Sequence, residues 1–119
     1  MAKRRSDGFA EKAFDAVSKQ KMVTAECKSR AREFPALLQQ SGLLAAVVQY
    51  KAKGTDAHKF VLKAVYDALG LSDDYHKVLV ATTNAQYRQY CDDARQFSWW
   101  LKRAAEATWS DPPGGVDNG

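Results

Sequence analysis

The run LLAAVVQY, Leu43 to Tyr50, constrains this chain more than any other stretch. Gln49 is its one polar member. Wound at about 100° per residue, Leu43, Leu44, Ala45, Ala46, Val47, Val48 and Tyr50 cover nearly the whole circumference of a helix. A helix apolar all round is buried on several sides. The run falls well short of the roughly 20 apolar residues needed to span a bilayer, so protein must supply the burial. Gly42 and Gly54 bracket it, each where a helix C-terminus favours a residue able to turn left-handed. Together these features predict a buried central helix over Leu43–Lys53, with the other helices packed around it.

The 119 residues suffice for one domain with one core. Hydrophobic residues make up 45%, which excludes a disordered chain. With 7 Gly and 3 Pro, turns are few, and helices are favoured over a many-stranded sheet. The formal net charge of +4 is unevenly spread: the first half carries twice as many cations as acids, the second half slightly more acids than cations. That asymmetry suggests a face that meets a polyanion. Cys27 and Cys91 each sit in an apolar helical stripe, as buried free thiols of a reducing compartment would. MAKRR is basic but no apolar segment follows it, and no transmembrane run occurs, so the expected location is the cytoplasm.

In chain order, a mobile basic arm over residues 1–5 precedes a first helix over Asp7–Lys21, capped by Ser6 or Asp7. Its apolar stripe is Ala10, Ala13, Phe14 and Val17, and Asp15 and Lys19 form a favourable i,i+4 pair. A second helix begins with Thr24 as N-cap and buries Cys27, Ala31, Phe34 and Leu38. Pro35 must either kink it or end it, and the continuing stripe favours a kink. After the central helix, Gly54-Thr55-Asp56 stops one helix and caps the next, Asp56–Leu69, whose inner side is Ala57, Val61, Ala64, Val65 and Ala68. Gly70 ends it, and Ser72-Asp73-Asp74 caps a short helix through Ala81. Thr83-Asn84-Ala85-Gln86 has the form of a capping box. It opens the longest helix, Asn84 to about Trp109, with a seam of Tyr87, Tyr90, Ala94, Phe97, Leu101, Ala104 and Thr108. Trp100 flanks this seam. The Pro/Gly-rich residues 110–119 read as a disordered tail. The expected architecture is an all-α bundle of about six helices, one domain over residues 1–109.

Signatures of catalysis are absent. His58 and His76 have no Cys or acid at metal-ligand spacing and read as surface or half-buried side chains. Asp73-Asp74 and Asp92-Asp93 are sequence neighbours, which point about 100° apart on a helix and cannot share a proton. No metal, cofactor or small-molecule substrate is implied. The cations say more. Lys28 and Arg32 share a flank of the second helix, with Arg30 on the other. A phosphate backbone is met by such rows of cations. Arg88, Arg95 and Lys102 recur every seventh residue on the long helix, with Asp92 able to pair with either arginine. Trp99 lies on this polar face with Arg103, where it can contact a protein partner, stack on a base or pack beneath a neighbouring element.

Two blocks carry a resemblance. Arg32 to Gly54, REFPALLQQSGLLAAVVQYKAKG, and Phe97 to Ala107, FSWWLKRAAEA, resemble the small α-helical subunit of the type III-B CRISPR effector, the RAMP-module (Cmr) complex. Ala104 and Ala105 depart from the pattern, which often has larger apolar residues there, and Trp99 has no counterpart in it. The resemblance implies a non-catalytic subunit that stacks with further copies of itself as a minor filament. It also implies contact with other effector subunits and with guide and target RNA. Carried over by motif position, Arg32, Lys53, Trp100, Lys102 and Arg103 are its matching residues. The candidate RNA-binding set is therefore Lys28, Arg32, Lys53, Lys102 and Arg103, with Trp99 as a partner contact and Pro35, Gly42, Gly54 and Trp100 as structural residues. No membrane contact is expected, and the competing reading is a helical protein–protein adaptor with no nucleic-acid role.

Overall fold

The computed structural model describes residues 8–71 and 75–109, without the side chains of residues 75 and 76. Six helices follow one another among them: α1 Phe9–Lys19, α2 Thr24–Ser41, α3 Leu43–Lys53, α4 Asp56–Leu69, α5 Tyr75–Ala81 and α6 Asn84–Thr108. No strand occurs among the described residues. The expected caps Ser6, Asp7 and Ser72-Asp73-Asp74, the basic arm and the tail lie outside the described residues.

Local chemistry sets most helix ends. Thr55 accepts the backbone N–H of His58 at 3.2 Å and so caps α4; Thr83 accepts that of Gln86 at 3.2 Å and caps α6. Gly54 takes the left-handed conformation that ends α3, at φ 66°. Gly42 serves as both the end of α2 and the start of α3, at φ 84° and ψ 168°, a region essentially closed to other residues. It has no side chain to cap α3. Tyr87 of α6 does this instead, its hydroxyl oxygen accepting the Leu44 N–H at 3.0 Å. The residue preceding α2 is Val23 rather than the expected Thr24 cap. Val23 sits at φ 48°, unusual for a β-branched side chain. Helix α2 runs unbroken through Pro35, in line with the continuing stripe of Cys27, Ala31, Phe34 and Leu38, all buried.

The centre of the bundle differs from the expectation. Helix α3 forms over the expected residues, but it is one-sided: Leu43, Ala46, Val47 and Tyr50 are buried, whereas Ala45 is exposed and Val48 is 48% exposed. Helices α2 and α4 cover most of its buried face, with shorter contributions from α5 and α6. The helix enclosed on more than one side is α4, which buries Ala57, His58, Val61, Leu62, Ala64, Val65, Tyr66, Ala68 and Leu69. Its faces meet α1, α2, α3 and α6. Composition alone does not make a helix central; its neighbours must also reach around it.

Helix α6 supplies the second axis. Phe97, Leu101, Ala104 and Ala105 are buried where α1, α2 and α4 pack on it. Tyr87 and Tyr90 are only half-buried, and Thr108 is exposed because the helix ends there. On α1 the buried stripe is Phe9, Ala13 and Val17; Phe14 is 43% exposed, and Phe9 takes the place expected for it, edge-on to Phe97 with ring centroids 5.9 Å apart. The stripe follows four-residue steps from Phe9, which places Phe14 about 100° away from Ala13. Trp100 packs half-buried against the core.

The asymmetry of α3 sets a stability contrast between adjacent valines. Val47→Ala removes two methyl groups from a fully buried site and costs about 2 kcal/mol in urea denaturation. Val48→Ala, on the open side, changes stability by less than about 0.5 kcal/mol.

Candidate nucleic-acid interface

The two sequence blocks that carry the resemblance pack on each other. α2 and α6 lie side by side, and Arg32 of the first block reaches Glu106 of the second at 3.5 Å. Arg103, one turn before Glu106 on α6, reaches the same carboxylate at 3.2 Å. Arg32 meets one carboxylate oxygen and Arg103 the other. Beside them Ser29, Arg32, Glu33 and Lys102 line a shallow open cleft of about 420 Å³. Lys102 has no ion-pair partner among the described residues, while Arg30 pairs with Glu33 at 3.2 Å. The edge thus holds Arg30, Arg32, Lys102 and Arg103 against two carboxylates, with most of its side chains partly exposed.

Trp99 is 48% exposed on the same helix. The Arg103 guanidinium lies 5.0 Å from its ring centroid, and Trp100 meets it edge-on at 4.9 Å. Arg103 is therefore held between an aromatic face and a carboxylate. That restricts the rotamers of a half-exposed guanidinium.

Lys53 ends α3, next to Gly54, and is exposed. Its charge is felt at His58, as are those of Arg30 and Glu33. Tyr50 joins these groups: its hydroxyl donates to Glu33 at 2.6 Å and lies 3.1 Å from the Arg30 carbonyl, and its ring packs edge-on against His58 at 4.6 Å. Burial and the Glu33 carboxylate push the Tyr50 phenol well above its usual range. It stays a neutral donor that links α2 to α3. Glu33 is the residue common to this network and to the cleft.

Lys28 departs from the expectation. It is 7% exposed, and its ammonium donates to the Trp109 carbonyl at 2.9 Å. Trp109 is the residue that ends α6. A cation there satisfies an orphan carbonyl and the negative end of the helix dipole. Lys28 therefore staples α2 to α6 and is not available as a surface ligand. Arg95 pairs with Asp92, and neither it nor Arg88 lines the cleft. His58, read from sequence as surface or half-buried, is buried at 7% exposure. Cys27 is a buried free thiol, pushed up to about 11 mainly by burial, and Cys91 is a half-buried one. Among the described residues, no group of three metal-ligating side chains occurs and no helix is long and apolar enough to cross a membrane.

Sequence reasoning missed Glu106 and Glu33. The Arg103–Glu106 and Arg30–Glu33 spacings, three apart on a helix, were available signals. The Arg32–Glu106 contact joins distant parts of the chain and had none.

The comparisons with known proteins meet this geometry. The family model described as CRISPR-associated protein (Cas_Cmr5) matches residues 5–108. This chain belongs to the Cmr5 family. A solved structure, that of a CRISPR-associated Cmr5 family protein from Thermus thermophilus, matches with a TM-score of 0.82 and 25% identity, covering 89% of this chain and 97% of that one. No curated protein matches the chain. The resemblance drawn from Arg32–Gly54 and Phe97–Ala107 thus holds for the family as well as for the all-helical fold. As a Cmr5 family member the chain is a subunit of the CRISPR Cmr effector complex, and other subunits of that complex are its partners.

Two measurements probe the structural side of this edge. Lys28→Met keeps the apolar stem but loses the bond to Trp109, and lowers the unfolding free energy by about 1–3 kcal/mol in urea titrations. The second concerns His58, whose ring nitrogen lies 2.6 Å from the Thr55 hydroxyl that caps α4. Burial, then the Arg30 cation, hold its pKa below the ordinary 6.5. The unfolded chain then binds the proton more readily, so this contribution is complete above pH 6.5 and fades as pH falls toward the lower folded value. Urea midpoints measured from about pH 7.5 down to about 5 fall less in His58→Gln than in the wild type.

Proposed function

We propose that this Cmr5 family protein is a non-catalytic, RNA-facing scaffold of the effector, holding guide and target RNA through backbone contacts indifferent to sequence. Copies of the chain stack as a minor filament in this reading. The observation that carries it is the open cleft where α2 and α6 meet, lined by Arg32 and Lys102 from the two helices, with Arg103 meeting Arg32 at the Glu106 carboxylate. Cations from two rigid elements suit a phosphate backbone of fixed spacing. The cleft has no buried pattern of donors and acceptors able to read base edges, as suits a complex that must accept any guide. Lys53, exposed at the end of α3, belongs to the RNA-facing set by its motif position. Trp99, braced by Trp100 and Arg103, offers a flat aromatic face to a neighbouring subunit.

A salt series on RNA binding by the full chain distinguishes this from a purely protein-binding adaptor. Binding is weak, equal for unrelated sequences, and falls steeply as salt rises. Lys102→Ala with Arg103→Ala leaves the helical circular dichroism and melting unchanged. It weakens RNA retention in the reconstituted effector roughly tenfold at about 0.1 M salt and reduces the salt slope by about one to two. Undiminished retention by the double variant would remove these two residues from the RNA path.

A further inference from the structure

The Glu106 carboxylate stands in an unusual place for a surface acid. Its two oxygens are each taken by a different arginine, Arg32 from α2 at 3.5 Å and Arg103 from α6 at 3.2 Å. Lys102, with no ion-pair partner among the described residues, lines the adjoining cleft with Arg32. A phosphodiester has the same outline: two terminal oxygens that share one negative charge. Guanidiniums bind either group by the same paired N–H bonds. We infer that Glu106 is a resident stand-in for a phosphate, and that Arg32, Arg103 and Lys102 form a phosphate-oxyanion site which a ligand enters by displacing the Glu106 carboxylate.

The arrangement has two consequences. The guanidiniums are pre-aimed by Glu106 and, for Arg103, by the Trp99 ring 5.0 Å away, so less rotamer freedom is lost when an anion arrives. Glu106 also competes with that anion for both arginines and repels it. A single phosphate gains little from the exchange, one charge pair replacing another. A polyanion held in place by neighbouring subunits enters at high effective concentration and can drive the carboxylate out. The isolated subunit thus stays weak on free RNA while its site is fully engaged in the assembled effector.

The identity of the ligand as RNA rests on the functional reading above; the anion chemistry of the site does not. Glu106→Gln is nearly isosteric, and both ion pairs it removes are partly exposed, so the fold tolerates it; Glu106→Ala serves as the second variant, and melting curves verify both. Anisotropy of a labelled single-stranded RNA of arbitrary sequence is measured over a salt series. Inorganic pyrophosphate is titrated in parallel and followed through the arginine side-chain resonances. Glu106→Gln should bind RNA roughly tenfold more tightly near 0.1 M salt, with a salt slope steeper by about one. The gain should vanish when Arg32→Ala and Arg103→Ala are added. Pyrophosphate should shift the Arg32 and Arg103 signals in Glu106→Gln far more than in the wild type. Equal or weaker binding of both anions by folded Glu106 variants overturns the inference, and leaves the RNA reading standing if the wild type still binds RNA. Pyrophosphate capture without RNA binding by any variant upholds the oxyanion site and overturns the RNA reading instead.

Discussion

Phe97, Leu101, Ala104 and Ala105 of α6 are buried together against α1, α2 and α4, and this contact decides where every other part of the molecule lies. Two alanines in adjacent positions let neighbouring helices approach closely on two flanks, while Phe97 and Leu101 fill the space between them. The departure from the family pattern at Ala104 and Ala105, where larger apolar residues are frequent, falls in this seam. Both alanines are fully enclosed. Helix α4 then lies within reach of four others and becomes the most enclosed rod of the bundle.

The same packing creates the polar edge. Once α2 is seated along α6, Lys28 meets the carbonyl of Trp109, the residue just past the end of α6, and Arg32 meets Glu106. One of these contacts is buried and structural; the other is half-exposed and exchangeable. They come from the same flank of the same helix, a single turn apart. A lysine at the closed end of the groove is consumed by helix capping, while an arginine one turn further along stays at the surface. Proximity along α2 does not give cations a common role; the local depth of the groove does.

The starts of α4 and α6 and the end of α3 were legible in the sequence because these are local events, whereas the cap expected at Thr24 falls instead on Val23. Thr55 and Thr83 each reach only three residues ahead, and Gly54 needs only its own freedom at positive φ. The buried stripe of α2 was also readable, since Cys27, Ala31, Phe34 and Leu38 follow the helical period on one face. The sequence was misleading about which helix is central. The apolar belt of α3 is real, yet Val48 is 48% exposed, because no described helix packs over that side. Phe14, expected in the stripe of α1, is half-exposed for a similar reason, and Phe9, which the sequence reading left out, is buried against Phe97 in its place.

What the sequence determined by itself is therefore the set of helices, several of their ends, and two blocks specific enough to identify the Cmr5 family. These depend on propensity, periodicity and capping, all of which act within a few residues. Tertiary structure alone decided that Lys28 is buried, that Arg32 crosses to Glu106 beside Arg103, and that Tyr87 caps a helix whose own glycine cannot. Each of these joins two helices far apart in the chain, or sets the depth of a side chain in the groove between them. No pattern along a single helix carries that information, because the partner's position depends on how the whole core has packed.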